Sequence, residues 1–116
     1  MRQALVKLLL KRDDYCLHCG DTETLVPHHR INRGMGGSKT LDDPRNIVLI
    51  CSWYNGQLES DAETARRGRE YGHKLSRFDS FEKPLYDQVA GQWITLTREG
   101  KKHEQTDRGV LGSSTI

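Results

Sequence analysis

The run NIVLIC, residues 46–51, decides how the rest of this chain is read. Ile47 to Cys51 are apolar without a break and rich in β-branched side chains, the pattern of a short strand buried on both faces. The residues on either side then fall into place. Downstream, SWYNGQLES, residues 52–60, should open a helix near Trp53. SDAE, residues 60–63, reads as a capping box that restarts it, with Ser60 as N-cap and Glu63 as partner, and Gly72 is the expected stop. Upstream, residues 30–45 carry glycines, a proline and hardly any apolar period, which makes them a long loop. Before that loop, LVPHH, residues 25–29, suits a second short strand, which Pro27 confines to an edge or terminal position.

Working outward to the N-terminus, YCLHCG, residues 15–20, is a C-x-x-C knuckle followed by glycine. With only three cysteines in the chain, this spacing favours a metal knuckle over a disulfide. Ala4, Leu5, Leu8 and Leu9 recur at helical spacing, with Arg2, Lys7, Lys11 and Arg12 left for the wet side, so residues 2–12 should form an amphipathic helix. Towards the C-terminus, PLYDQVAGQWITLT, residues 84–97, reads as two strands around VAG, with Trp93 as packing. The polar stretch that follows is expected to be largely disordered. These readings divide the chain into a core over 1–78, a hairpin extension over 79–100 and a tail over 101–116.

Composition limits the function classes. At 116 residues and 34% hydrophobic, the chain makes one small domain with a modest core, for which a metal would be a useful staple. A net charge of +2 and a pI near 8.5 leave the question of a nucleic-acid partner to the placement of the charges. ALVKLLL, residues 4–10, is too short and too charged in its surroundings for a membrane span or a signal peptide, and a cytoplasmic protein is expected. GMGGSKT, residues 34–40, fails as a phosphate-binding Walker loop because Ser38 stands where a glycine must precede the lysine, so no nucleotide cofactor is expected.

His28 and His29 are the chemical centre of the reading. Side chains of adjacent strand residues point to opposite faces, so two neighbouring imidazoles do not comfortably grip one ion, and their adjacency suits a division of labour. Such a division suits a site that needs a proton acceptor and a bound positive charge as separate devices.

The order C-x-x-C-G, H-H, an Asn opening an apolar strand, and C-x-x-x-N-G-x-x-E-S-D resembles the HNH endonuclease family, particularly its small phage-type members. The spacing is H-H-x16-N-x8-N, with His29, Asn46 and Asn55 in the three named positions, and the likeness covers residues 5–75. It implies an α+β fold, a small ββα-metal domain of treble-clef-like form, here with an N-terminal helix and a C-terminal β-hairpin. It also implies that His28 is a metal ligand, His29 the general base and Asn55 a further ligand. Glu59, four residues on and on the same helical face, is an additional candidate ligand. Asn46 would tie the loop to the strand and so support the catalytic geometry. Mg²⁺ or Mn²⁺ is the cation the family leads one to expect.

Many relatives complete a four-cysteine zinc site with a second C-x-x-C. Here Cys16, Cys19 and Cys51 fill three positions and Tyr54 stands at the fourth. Three outcomes are open: His18 completes a Zn²⁺ site, water does, or the knuckle survives as packing alone. DNA is the implied partner. Arg30, Arg33, Lys39, Arg45, Arg66 and Arg67 are candidate phosphate contacts, although solvated surface charge would look the same. Phage terminase subunits are a further implied partner. The rival readings are a zinc-knuckle DNA-binding module that does not cleave, and a packaging adaptor.

Overall fold

The computed structural model describes residues 3–32 and 41–104. It is an α+β arrangement of α1 (Gln3–Arg12), β1 (Leu25–His29), β2 (Ile47–Cys51), α2 (Ser52–Ser60), α3 (Ala62–Glu70), β3 (Leu85–Asp87), β4 (Gln92–Leu96) and β5 (Lys102–Glu104). β1 and β2 pair antiparallel, with Leu25 opposite Cys51 and His29 opposite Ile47. β3, β4 and β5 form a second antiparallel sheet in that order.

Every residue of β2 is buried. Its alternating side chains divide the core in two. Val48 and Ile50 join Cys16, Leu17, Tyr54, Leu58, Leu85, Ile94 and Leu96, while Ile47 and Leu49 face Leu9 of α1. Burying one such aliphatic side chain is worth about 1.5–3 kcal/mol, so this strand anchors both halves of the domain. Residues 79–100, read from sequence as an extension, therefore share the core of residues 1–78 through Leu85, Ile94 and Leu96.

Four local expectations are corrected. Arg12, assigned to the wet side of α1, is buried: its guanidinium grips Asp13 at 2.7 Å and donates to the carbonyl of Pro44 at 2.7 Å and to that of Ile47. Asp13 in turn accepts from the backbone N–H of Leu49, so the pair staples α1 to β2.

At the start of α3 the cap is Asp61, not Ser60. Asp61 has extended backbone, and its carboxylate accepts from the Thr64 N–H at 2.9 Å and hydroxyl at 2.7 Å. Ser60 is still helical and turns its hydroxyl back to the Gly56 carbonyl. Glu63 then has no box to complete and pairs with Arg66 and Arg67.

The third correction concerns the C-terminal segment, where residues 102–104 add strand β5 to β4 after a turn closed by Thr97 and Gly100. The rest of the expected tail, 105–116, lies outside the described residues. Arg30 is the fourth and is taken up with the site below.

Gly72 does end the helical stretch. It has φ +75° after the cap residue Tyr71, and the N–H groups of Gly72 and His73 return to the carbonyls of Arg69 and Gly68. A Cβ at Gly72 would also run into the Pro84 carbonyl oxygen. This tight turn delivers His73 and Lys74 to the underside of β1.

Candidate functional site

β1 presents its two histidines to different partners. His28 is 3% exposed, and its Nε2 lies 2.8 Å from the carbonyl oxygen of His73. A carbonyl can only accept, so Nε2 carries the hydrogen and Nδ1 carries the lone pair. Burial pushes the ring's pKa down, opposed by that hydrogen bond, and the neutral form is the ligand form. Lys74 pushes the same way as burial, while the Glu59 carboxylate and a hydrogen bond with the Asn55 side chain oppose it. Asn55 and Glu59 are one turn apart on α2, and Glu59 also meets Lys74 at 3.5 Å. Three of the expected ligand residues, His28, Asn55 and Glu59, are thus brought to one place.

His29, on the opposite face of the strand, places Nε2 2.8 Å from a carboxylate oxygen of Asp42. Sequence reading missed Asp42. Its only local sign is the acidic pair before Pro44, and thirteen residues of separation carry no periodicity that could join it to His29.

Asn46 joins the strand to the loop. It is fully buried, its Oδ1 accepts from the Ile31 N–H at 2.7 Å, and its Nδ2 donates to the carbonyls of Leu41 at 2.9 Å and Ile31 at 3.2 Å. One side chain therefore clamps both ends of the loop, one residue short of Asp42 on one side and two beyond His29 on the other.

The cysteines form a second centre. Cys16, His18 and Cys19 place one donor atom each within 4.8 Å of one another, a group that could hold a metal such as zinc. Cys51 Sγ lies 3.7 Å from Cys19 Sγ, near the edge of about 3.8 Å expected between thiolates on one tetrahedral zinc. Burial pushes the Cys51 thiol up to about 11, helped by Cys19 and Cys16 against the Tyr54 N–H. A cation would reverse that penalty. Among the described residues, His18 Nδ1 is the buried side-chain atom left without a hydrogen-bond partner, and burial favours the neutral ring. A buried donor atom of this kind needs a partner, and a metal is one that suits it. Trp53 and Tyr54 flank this knuckle. His18 stacks on Tyr54 at 3.9 Å, and Trp53 is exposed beside a cavity of about 130 Å³ that His18, Tyr54, Arg67 and Tyr71 also line.

The candidate phosphate contacts separate. Arg30 is corrected: it is fully buried and spends its guanidinium on the carbonyls of Gly72, Arg45, Phe81, Lys83 and Pro84. Its role is to hold the loop after α3 against β1, which takes it away from any phosphate. Arg45 is tied to Asp43 at 2.9 Å and approaches Glu82 at 3.6 Å. Arg66 and Arg67 are exposed on α3, paired with Glu63 and, for Arg66, also Glu70. Such exposed pairs are weak enough to be exchanged for phosphate. Arg33 and Lys39 lie outside the described residues.

His73, which no motif marked, is a buried junction. Its Nε2–H donates to the Tyr86 carbonyl at 2.7 Å, so Nδ1 accepts the Tyr54 hydroxyl at 2.7 Å. Burial lowers its pKa from 6.5 to about 4. The unfolded chain therefore binds the proton more readily, and the stabilisation present above pH 6.5 is lost as the pH falls towards 4. The drop corresponds to about 3 kcal/mol at most. Thermal unfolding from pH 7 to 4 should show this loss, and His73→Leu should flatten the slope. An unchanged slope in the variant would assign the loss to other groups.

No protein-family model matches this chain, and neither does any curated protein or solved structure compared with it. No described helix is long and apolar enough to cross a membrane. The functional reading therefore rests on the site itself.

Proposed function

We propose that this chain is a metal-dependent endonuclease of the HNH kind, built on a ββα-metal core, which hydrolyses phosphodiester bonds in DNA. The observation that carries the reading is the separation of the adjacent histidines: one buried ring whose Nε2–H is held by the His73 carbonyl and which has Asn55 and Glu59 as neighbours, and one ring paired with a carboxylate.

In this reading His29 removes a proton from water, and Asp42 orients the ring and stabilises the imidazolium that forms. The water oxygen bonds to phosphorus as the bond from phosphorus to the 3′-oxygen breaks, and the departing 3′-oxygen takes a proton from solvent water, so that the products are a 5′-phosphate and a 3′-hydroxyl. His28, Asn55 and Glu59 would hold Mg²⁺ or Mn²⁺. When bound, the ion supplies charge for the crowded phosphorus and the leaving oxygen. Asn46 keeps the two ends of the loop in register, so that Asp42 meets His29. Arg66 and Arg67 would contact flanking phosphates, positioning the duplex without reading its sequence.

The test is strand breakage: purified protein with supercoiled plasmid should yield nicked or linear DNA in Mg²⁺ or Mn²⁺ and none in chelator. Retention of DNA with no breakage under either metal would instead support the non-cleaving DNA-binding module. Association with terminase subunits belongs to the same proposal and is read by co-purification.

The cysteine centre is proposed to hold one structural Zn²⁺ through Cys16, Cys19, Cys51 and His18. Elemental analysis should find one zinc per chain, and stripping it should lower the unfolding midpoint by more than about 10 °C. Metal-free protein with an unchanged midpoint would leave the knuckle as packing alone.

A further inference from the structure

We infer that Tyr54 and His73 are positioning residues that hold the His28 imidazole in a single tautomer and orientation. The inference deepens the cation-site reading above, but concerns contacts present in the chain whether or not an ion binds. The link to His28 runs through a backbone atom, the carbonyl of His73, and the question is what keeps that carbonyl in place.

Residue 73 is held at three further points. Its N–H donates to the Gly68 carbonyl at 2.8 Å, its Nε2–H to the Tyr86 carbonyl at 2.7 Å, and its Nδ1 receives the Tyr54 hydroxyl at 2.7 Å. These bonds come from α3, β3 and α2, so the carbonyl that fixes β1 is set by three elements at once. Tyr54 is itself locked. It is 2% exposed, its ring stacks on His18 at 3.9 Å, and its N–H reaches Cys51 Sγ at 3.3 Å.

Two consequences follow from the positions of these residues in the chain. Tyr54 directly precedes Asn55, so one turn of α2 supplies both the start of the relay and a candidate ligand. Lys74, directly after His73, meets Glu59 at 3.5 Å, so the same short segment restrains His28 and Glu59 together. Tyr54 also stands where a fourth cysteine would have closed a four-thiolate knuckle. Its hydroxyl instead ties the knuckle to the histidine pair. Partners of this kind, which fix the tautomer of a metal-binding histidine, typically change metal affinity by about 10–100-fold when removed.

Long-range nitrogen–proton correlation spectra of the imidazoles in the metal-free protein test this, together with Mn²⁺ titration. Wild-type His28 should appear as the pure Nε2–H tautomer. Tyr54→Phe, which removes one oxygen atom, should mix the tautomers and weaken Mn²⁺ binding about 10-fold or more, and His73→Ala should do so further. A role in stability alone would lower the unfolding midpoint and leave the His28 tautomer untouched, which overturns the proposal. So does an Nδ1–H tautomer in the wild type, a result that needs no variant. If the wild type binds no Mn²⁺, the cation-site reading fails, and the tautomer spectra still decide for or against the relay.

Discussion

Replacing His29 with alanine should lower the rate of plasmid nicking by about 10²–10⁴-fold, the range typical for losing a positioned general base. Binding of Mn²⁺ should stay within a few-fold of wild type, because the ligand set assigned to the ion lies with His28 on the other face of β1. The split between the two measurements is the informative part. Loss of metal binding along with activity would mean that His29 is itself a ligand, and equal nicking in the variant would remove it from the mechanism. Asp42→Asn should fall between wild type and His29→Ala. The amide can still contact the ring at the 2.8 Å position, but it cannot stabilise the imidazolium by charge.

Arg30→Ala should destabilise the fold by about 3–5 kcal/mol, the cost of breaking a buried charged network. The guanidinium is fully buried and bonds to five backbone carbonyls, four of which belong to Gly72, Phe81, Lys83 and Pro84 in the segment between α3 and β3. Burial lowers its pKa to about 10, still far above neutrality, so the charge persists and the carbonyl dipoles solvate it. Removing it leaves those carbonyls, that of Gly72 in a buried bond and the others in partly buried ones, without this donor. Urea unfolding checks this, and a loss below about 1 kcal/mol would contradict the role given to Arg30. The same variant separates the two readings of this residue: a surface phosphate contact would weaken DNA binding at nearly unchanged stability.

Elements set by local chemistry were the legible ones. Ile47 to Cys51 form a buried strand because an unbroken β-branched run has no polar face to turn to water, and Leu25 to His29 form its partner. Gly72 ends the helical stretch because only glycine takes φ +75° there without strain. The cap at Asp61 was missed by one residue, since Ser60 and Asp61 are both good caps and only the backbone turn at 61 chooses between them. β5 was missed because KHE has no strand pattern of its own and is held by pairing with β4.

The site divides along the same line. The sequence alone determined which residue types could do the chemistry: paired imidazoles on a strand, an amide and a carboxylate one turn apart on the next helix, and thiols at knuckle spacing. Tertiary structure alone decided which nitrogen of His28 meets the His73 carbonyl, that Asp42 is the partner of His29, that His18 joins the cysteines, and that Arg30 lies inside. The physical reason is that spacing fixes the direction of a side chain within one element, whereas a hydrogen bond across elements depends on where the chain returns. His73 and Asp42 meet the histidines 45 and 13 residues away in the chain, at distances that no local preference encodes.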